Sequence, residues 1–229
     1  MKLKLVDKIE RFPDVISFIF EPQQEQINWK AGQFLHYVLH HEPTDDRGSD
    51  RWFTISSAPF EKHIMVTTRL TKDKGSSFKN KLQSLELGKN IEVSYLEGEF
   101  VVNDPSKEYV FIAGGIGITP FRSIIKQLEY EKKPINIHLL YANKDQNIVF
   151  KEELEQVAAT NLNFKINYIF SPEHIDEAKI KELVPNYEYK IFFVSGPEPM
   201  VESLGQMLKT LGIKEEMIKQ DWFPGYPEF

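Results

Sequence analysis

The chain has no cysteine among its 229 residues. That excludes disulfides, cysteine-ligated iron–sulfur clusters, thiolate zinc sites and a thiol nucleophile. Positive charge is not in excess either. The 28 Lys and Arg stand against 34 Asp and Glu, for a formal net charge of −6, and the basic residues are scattered. A nucleic-acid binder needs a basic face, so that partner is not expected. Long hydrophobic runs are also missing. No stretch approaches the roughly 18 apolar residues of a membrane helix, and the opening MKLKLVDKIE lacks the apolar core of a signal peptide. The expectation is a cytoplasmic chain without membrane insertion. Metal ligands are sparse. His36 and His40 fall on one strand face near His41, Asp45 and Asp46, but nothing there fixes four ligands, and no metal is expected.

What is present is a chain of two textures. Hydrophobic residues make up 41%, enough for a buried core, and the length suits one large domain or two of about 100 residues. Residues 15–20, 33–39, 64–70 and 91–95 are short, β-branched or aromatic, and separated by polar or Gly/Pro breaks. They predict an antiparallel barrel or sandwich, with residues 40–50 as an exposed loop. A helix over 78–87 interrupts it, capped by Ser76 or Ser77 and ending at Gly88. After a linker at 103–107 the pattern changes. Strand-like runs at 135–142, 164–170 and 189–194 alternate with helix-like runs at 150–159, 175–184 and 199–211, which predicts a parallel α/β sheet. The apolar stripe of the last helix, Met200, Leu204, Met207, Leu208 and Leu211, reads as core. The expected domains are 1–103 and 104–229.

Residues 109–120, YVFIAGGIGITP, read as strand, glycine turn and helix. Phe121, Ile124, Ile125 and Leu128 continue on one helical face. Glycines let backbone come close to a ligand, a helix start holds negative charge, and Pro120 suits a first helical turn. The spacing departs from a dinucleotide fingerprint, with Pro120 where a third glycine would stand, so this turn alone leaves a structural role open. In open parallel sheets ligands bind beyond the strand C-termini, where the strand order reverses. The turn at 114–120 and the segment 195–200, SGPEPM, are the candidates for that crevice. Residues 51–59, RWFTISSAP, put Arg51 and Phe53 on one strand face and Trp52 and Thr54 on the other. An arginine forks onto a pyrophosphate, an aromatic stacks on a flat ring, and a hydroxyl donates to a ring nitrogen.

In that order RWFT, GSS, GGIGITP and SGPEPM resemble the ferredoxin–NADP reductase family: an FAD-binding Greek-key β-barrel followed by a Rossmann-like NAD(P)-binding domain. The resemblance covers nearly the whole chain, including Gly32–Gln33–Phe34 and Gly98–Glu99–Phe100. It implies the following roles. Arg51 holds the FAD pyrophosphate and Phe53 packs on the flavin. Thr54, followed by Ile55, stands near flavin N5. Val66, Thr67 and Thr68 present backbone to the isoalloxazine edge. Gly75, Ser76 and Ser77 make a second pyrophosphate contact. Gly115, Gly117, Ile118, Thr119 and Pro120 form the pyridine-nucleotide loop, with Thr119 beside the nicotinamide. Gly196, Pro197 and Met200 match the family's C-G-P-x-x-M, in which Ser195 replaces the cysteine near the reacting carbon. An aromatic of the tail, Phe223 ahead of Trp222, Tyr226 and Phe229, covers the flavin or closes the core. Phe53 stands for a usual tyrosine and Ala31 for a common proline.

The implied activity is hydride transfer from NADPH or NADH to FAD, then electron transfer to an external acceptor such as a ferredoxin, a flavodoxin or a partner subunit. Thr54, Ser195 and Phe223 are the catalytic candidates. Two alternatives stand beside it: a reductase of free flavin, and a non-catalytic nucleotide-binding sensor, the latter favoured by Ser195. At the end of the second parallel strand Lys144 leans to NADPH and Asp145 to NADH.

Overall fold

The computed structural model describes residues 1–70 and 75–223, with Phe223 in its backbone only. The chain divides into two compact units, Met1–Val101 and Val102–Phe229.

The first unit is a six-stranded antiparallel sheet in the order β4-β3-β6-β1-β2-β5. Its strands are β1 (Lys2–Phe12), β2 (Val15–Pro22), β3 (Phe34–Val38), β4 (Asp50–Thr54), β5 (Ile64–Arg69) and β6 (Asn90–Glu97). β1 is absent from the sequence expectations, yet Leu3 and Leu5 are wholly buried between exposed or half-buried neighbours, the period-two pattern of a half-buried strand. The two sheet edges meet. Beyond β4, the Ser56 N–H donates to the Met65 carbonyl in β5 at 2.8 Å, which closes the sheet into a barrel. Leu3, Leu5, Phe18, Phe20, Leu35, Tyr37, Val66 and Val93 belong to its core.

Helix α1 (Ser77–Ser84) adds Phe78 and Leu82 to that core. It stops at Leu85, short of the expected residue 87. Gly88, expected to cap it, instead takes φ +85° in the turn into β6, where its N–H bonds the Leu5 carbonyl at 2.7 Å. The physical reason is burial: Leu85 is drawn into the barrel core, and an extended backbone there ends the helix early.

The second unit is a five-stranded, all-parallel sheet in the order β11-β10-β7-β8-β9. Its strands are β7 (Tyr109–Gly114), β8 (Ile137–Asn143), β9 (Phe164–Phe170), β10 (Ile191–Pro197) and β11 (Ile218–Phe223). The connecting helices are α2 (Thr119–Tyr130), α3 (Lys151–Thr160), α4 (Glu177–Leu183) and α5 (Glu198–Thr210). Side chains alternate across the central strands. Val110, Ile112, Phe192 and Val194 pack with Ile180 of α4 and with Val201, Leu204 and Leu208 of α5. On the opposite face Phe111 stacks on Phe121 of α2, ring centroids 4.5 Å apart, and lies 5.3 Å from Phe193. With helices on both faces, β7 and β10 are buried nearly throughout, as parallel strands require.

Strand β11 takes in residues 220–223, read from sequence as the start of a tail; 224–229 lie outside the described residues. Residues 218–223 pair with β10 residue by residue, from Phe192↔Ile218 to Pro197↔Phe223. An edge strand needs only one neighbour, and β10 supplies a row of backbone partners that no local pattern announces.

Candidate functional site

In the first unit the site begins at β4. Arg51 and Phe53 point the same way and meet α1: the Arg51 guanidinium lies 5.6 Å from the centre of the Phe78 ring, and Phe53 lies 5.8 Å from that ring. Trp52 points outward, 45% exposed, and packs on His36 at 4.8 Å. The loop between β3 and β4 wraps the guanidinium. Arg51 Nη1 donates to the carbonyls of Arg47 at 2.7 Å, Gly48 at 3.3 Å, and Asp50. Its Nη2 faces Asp45 Oδ1 at 3.4 Å.

The same Asp45 carboxylate reaches the start of α1. The Ser77 backbone N–H donates to Asp45 Oδ2 at 2.7 Å, and the Asp45 N–H donates to Ser77 Oγ at 3.0 Å. The Arg47 N–H and guanidinium each add a bond at 3.0 Å. Donation by the Ser77 N–H, helped by Arg47 and opposed by partial burial, holds the Asp45 carboxyl down at about 2. Ser76 is the N-cap and accepts from the Lys79 N–H at 3.2 Å, with Gly75 just ahead of it. Arg51 Nη2 and the Ser77 N–H at the helix start therefore converge on the Asp45 carboxylate, donor types that suit a phosphate.

Thr54 is buried at the end of β4, opposite Phe34. The chain then crosses from one sheet edge to the other. Ile55 N–H bonds the Gln33 carbonyl at 3.0 Å. Ser56 Oγ meets Thr67 Oγ1 at 2.9 Å, which meets Ser17 Oγ at 2.8 Å, and Arg11 Nε donates to Ser17 at 3.0 Å. This chain of hydroxyls was not anticipated. Its signal was Ser17 and Thr67 standing inside otherwise apolar strands, where a buried hydroxyl needs a partner. Val66, Thr67 and Thr68 pair with Phe18, Ser17 and Ile16 of β2. β5 is the last strand of the sheet order, and the Ser56 N–H donates to the Met65 carbonyl on its outer side.

In the second unit the strand order reverses between β7 and β10: the chain runs outward through β8 and β9, then returns to the other side of β7. Two segments lie at that switch point. After β7 a helical turn spans Gly115–Ile118, with Gly115 at φ +51°, and leads into α2 with Pro120 in its first turn. After β10 the chain passes Gly196 and Pro197 into α5. Three glycines let these segments touch. A Cβ on Gly117 would lie 2.3 Å from the Ser195 carbonyl oxygen, one on Gly114 2.5 Å from Met200 Sδ, and one on Gly196 2.9 Å from Met200 Cε. The close approach here is first of backbone to backbone. Thr119 is buried and its hydroxyl donates inward to the Ile116 carbonyl at 3.2 Å. From β8 the buried Tyr141 hydroxyl donates to the Gly115 carbonyl at 3.0 Å and also reaches that of Val149 at 3.3 Å. It pins the glycine turn, a role not expected from sequence.

Ser195 is wholly buried, and β11 sets Asp221 directly across from it. Neither Ser195 Oγ nor Asp221 Oδ2 has a hydrogen-bond partner among the described residues. Burial pushes the Asp221 carboxyl up to about 7, against a downward pull from the neighbouring Ser195 hydroxyl. Asp221 was missed because its pairing depends on β11. Phe223 aligns with Pro197 at the strand end, while its side chain, Tyr226 and Phe229 lie outside the described residues; Trp222 is 51% exposed. The histidines are engaged separately: His36 with Asp50 and Ser94, each at 2.9 Å, and His41 with the Leu39 carbonyl at 2.6 Å.

A family model described as the oxidoreductase NAD-binding domain matches residues 111–206. The ferredoxin reductase component of a 3-ketosteroid-9-alpha-monooxygenase from Mycolicibacterium smegmatis is 26% identical over 236 residues, covering 97% of this chain and 65% of that protein. The chain thus spans little more than half the length of the curated relatives it matches, 58% for a flavohemoprotein of Rhodopirellula baltica. The FAD/NAD-binding domain of a nitric oxide dioxygenase from Vibrio cholerae superposes with a TM-score of 0.83 at 20% identity, covering 97% of this chain and 98% of that one. Ferredoxin–NADP+ reductase from Plasmodium falciparum gives 0.79 at 19%, with 97% and 95% covered. A closed antiparallel unit followed by a doubly wound parallel one is the fold these solved reductase structures share with the chain. Within that fold, residues 111–206 match the oxidoreductase NAD-binding domain, and the whole chain is similar to the reductases named above.

Proposed function

We propose that the chain is an FAD-dependent reductase that takes hydride from NADPH or NADH and passes electrons to an external protein acceptor of the ferredoxin or flavodoxin type. The observation that carries this reading is the convergence of Arg51 and the Ser77 N–H on a single anion. These donors fit the diphosphate of FAD. Phe53 and the backbone of β5 at residues 66–68 orient the ring system, and the Thr54 hydroxyl stands at its reacting edge. Bound there, FAD supplies hydride acceptance and one-electron release, which a nicotinamide alone lacks. Residues 1–103 form the flavin domain and 104–229 the nucleotide domain. In the latter, the crevice between 114–120 and 195–200 takes NAD(P)H, with the start of α2 toward its negative charge and Thr119 and Ser195 beside the nicotinamide. Phe223 is the aromatic proposed to cover the flavin. The compartment proposed is the cytoplasm; no helix among the described residues is long and apolar enough to cross a membrane.

NADPH is the preferred donor on this reading. Asp145 is occupied by the Asn147 N–H at 2.8 Å, while Lys144 is exposed and makes no ion pair among the described residues. Anaerobic mixing of FAD-loaded protein with NADPH or NADH tests the whole proposal. Loss of the visible flavin absorbance is expected; its persistence with both nucleotides would favour the sensor reading. A preparation that binds no FAD but reduces added riboflavin would favour the free-flavin reductase.

A further inference from the structure

The loop between β3 and β4 brings its own anion to the diphosphate donors. Asp45 is not needed to cap α1, because Ser76 already does so. Its carboxylate nevertheless takes the Ser77 N–H at 2.7 Å and faces Arg51 Nη2 at 3.4 Å. One N–H serves one acceptor well, and a carboxylate beside a phosphate is a like-charge contact. Asp45 and a flavin diphosphate therefore exclude each other from this position.

We infer that Asp45 is an internal competitor for the flavin diphosphate subsite, displaced from Ser77 and Arg51 when FAD binds. The inference rests on the flavoprotein reading above. Its consequence is selective. A ligand whose affinity comes from the diphosphate binds only the fraction of molecules with Asp45 withdrawn, and its apparent Kd rises by that fraction. Riboflavin has no phosphate and escapes the competition. Arg47 is tied to Asp45 by its N–H and its guanidinium, so the withdrawal moves the loop as a unit.

The test titrates full-length protein, stripped of flavin, with FAD and separately with riboflavin, for the wild type, Asp45→Asn and Asp45→Ser. Asn keeps the shape and loses the charge; Ser also removes the reach. Both variants are expected to bind FAD about tenfold more tightly, a change of ~1.4 kcal/mol, with riboflavin affinity unchanged. The unchanged riboflavin affinity also shows that the variants are folded. FAD affinity equal to or weaker than wild type in both variants would overturn the inference alone, as would equal tightening for riboflavin. A wild type that binds no FAD would overturn the flavoprotein reading and this inference with it.

Discussion

At the level of single residues, the charges decide most. Arg51 is held in place by three backbone carbonyls and faces Asp45, so it is preorganised. Arg51→Ala should weaken FAD binding by roughly 10–100-fold, the worth of hydrogen bonds to a charged group, and leave riboflavin binding much less affected; flavin fluorescence measures both. Asp221 gives a pH prediction. Its carboxyl is raised to about 7 from an unfolded value near 3.9. A raised acid is neutral and harmless at low pH, and its ionisation opposes folding as pH rises. The melting temperature of the wild type should therefore fall between about pH 4 and 7, and Asp221→Asn should flatten that fall. An equal slope in both proteins would assign the loss to other groups. Lys144→Ala should raise KM for NADPH about tenfold and leave that for NADH in place.

At the level of elements, the glycine turn and the segment after β10 work as one joint. A methyl at residue 117 would sit 2.3 Å from the Ser195 carbonyl oxygen, and backbone on both sides resists. Gly117→Ala should cost about 1–3 kcal/mol, as overpacking does, and raise KM for pyridine nucleotide, measured by denaturant unfolding and steady-state kinetics. The turn was legible in the sequence because GGIGITP follows a fully apolar strand. Its purpose was legible only in part: the sequence suggested close approach to a ligand, while the structure shows that the glycines first bring two loops together. Tyr141, which fastens this turn from β8, is silent in sequence because a tyrosine is ordinary in a buried strand. β1 was legible and overlooked, in the alternation of Leu3 and Leu5 with lysines. β11 was not, because its place comes from the open edge of β10.

At the level of the whole molecule, each unit has its own core: Leu3, Phe18, Tyr37 and Val66 in one, Val110, Ile112, Phe192 and Leu204 in the other. Residues 1–103 and 104–229 made separately should each unfold cooperatively, with FAD stabilising only the first fragment and NADPH or NADH only the second; calorimetry with each ligand checks this. A fragment that melts without a transition would overturn the division. The amino-acid sequence by itself determined the change from short alternating strands to strand–helix repeats, and with it the two fold classes, since both periodicities are local. It also determined the glycine turn and the Arg51–Phe53 face. Tertiary structure alone decided that Asp45 meets Ser77, 32 positions away, and that Asp221 lies across from Ser195. Such pairings depend on which backbone edges the rest of the fold leaves open, and no local pattern in the chain carries that information.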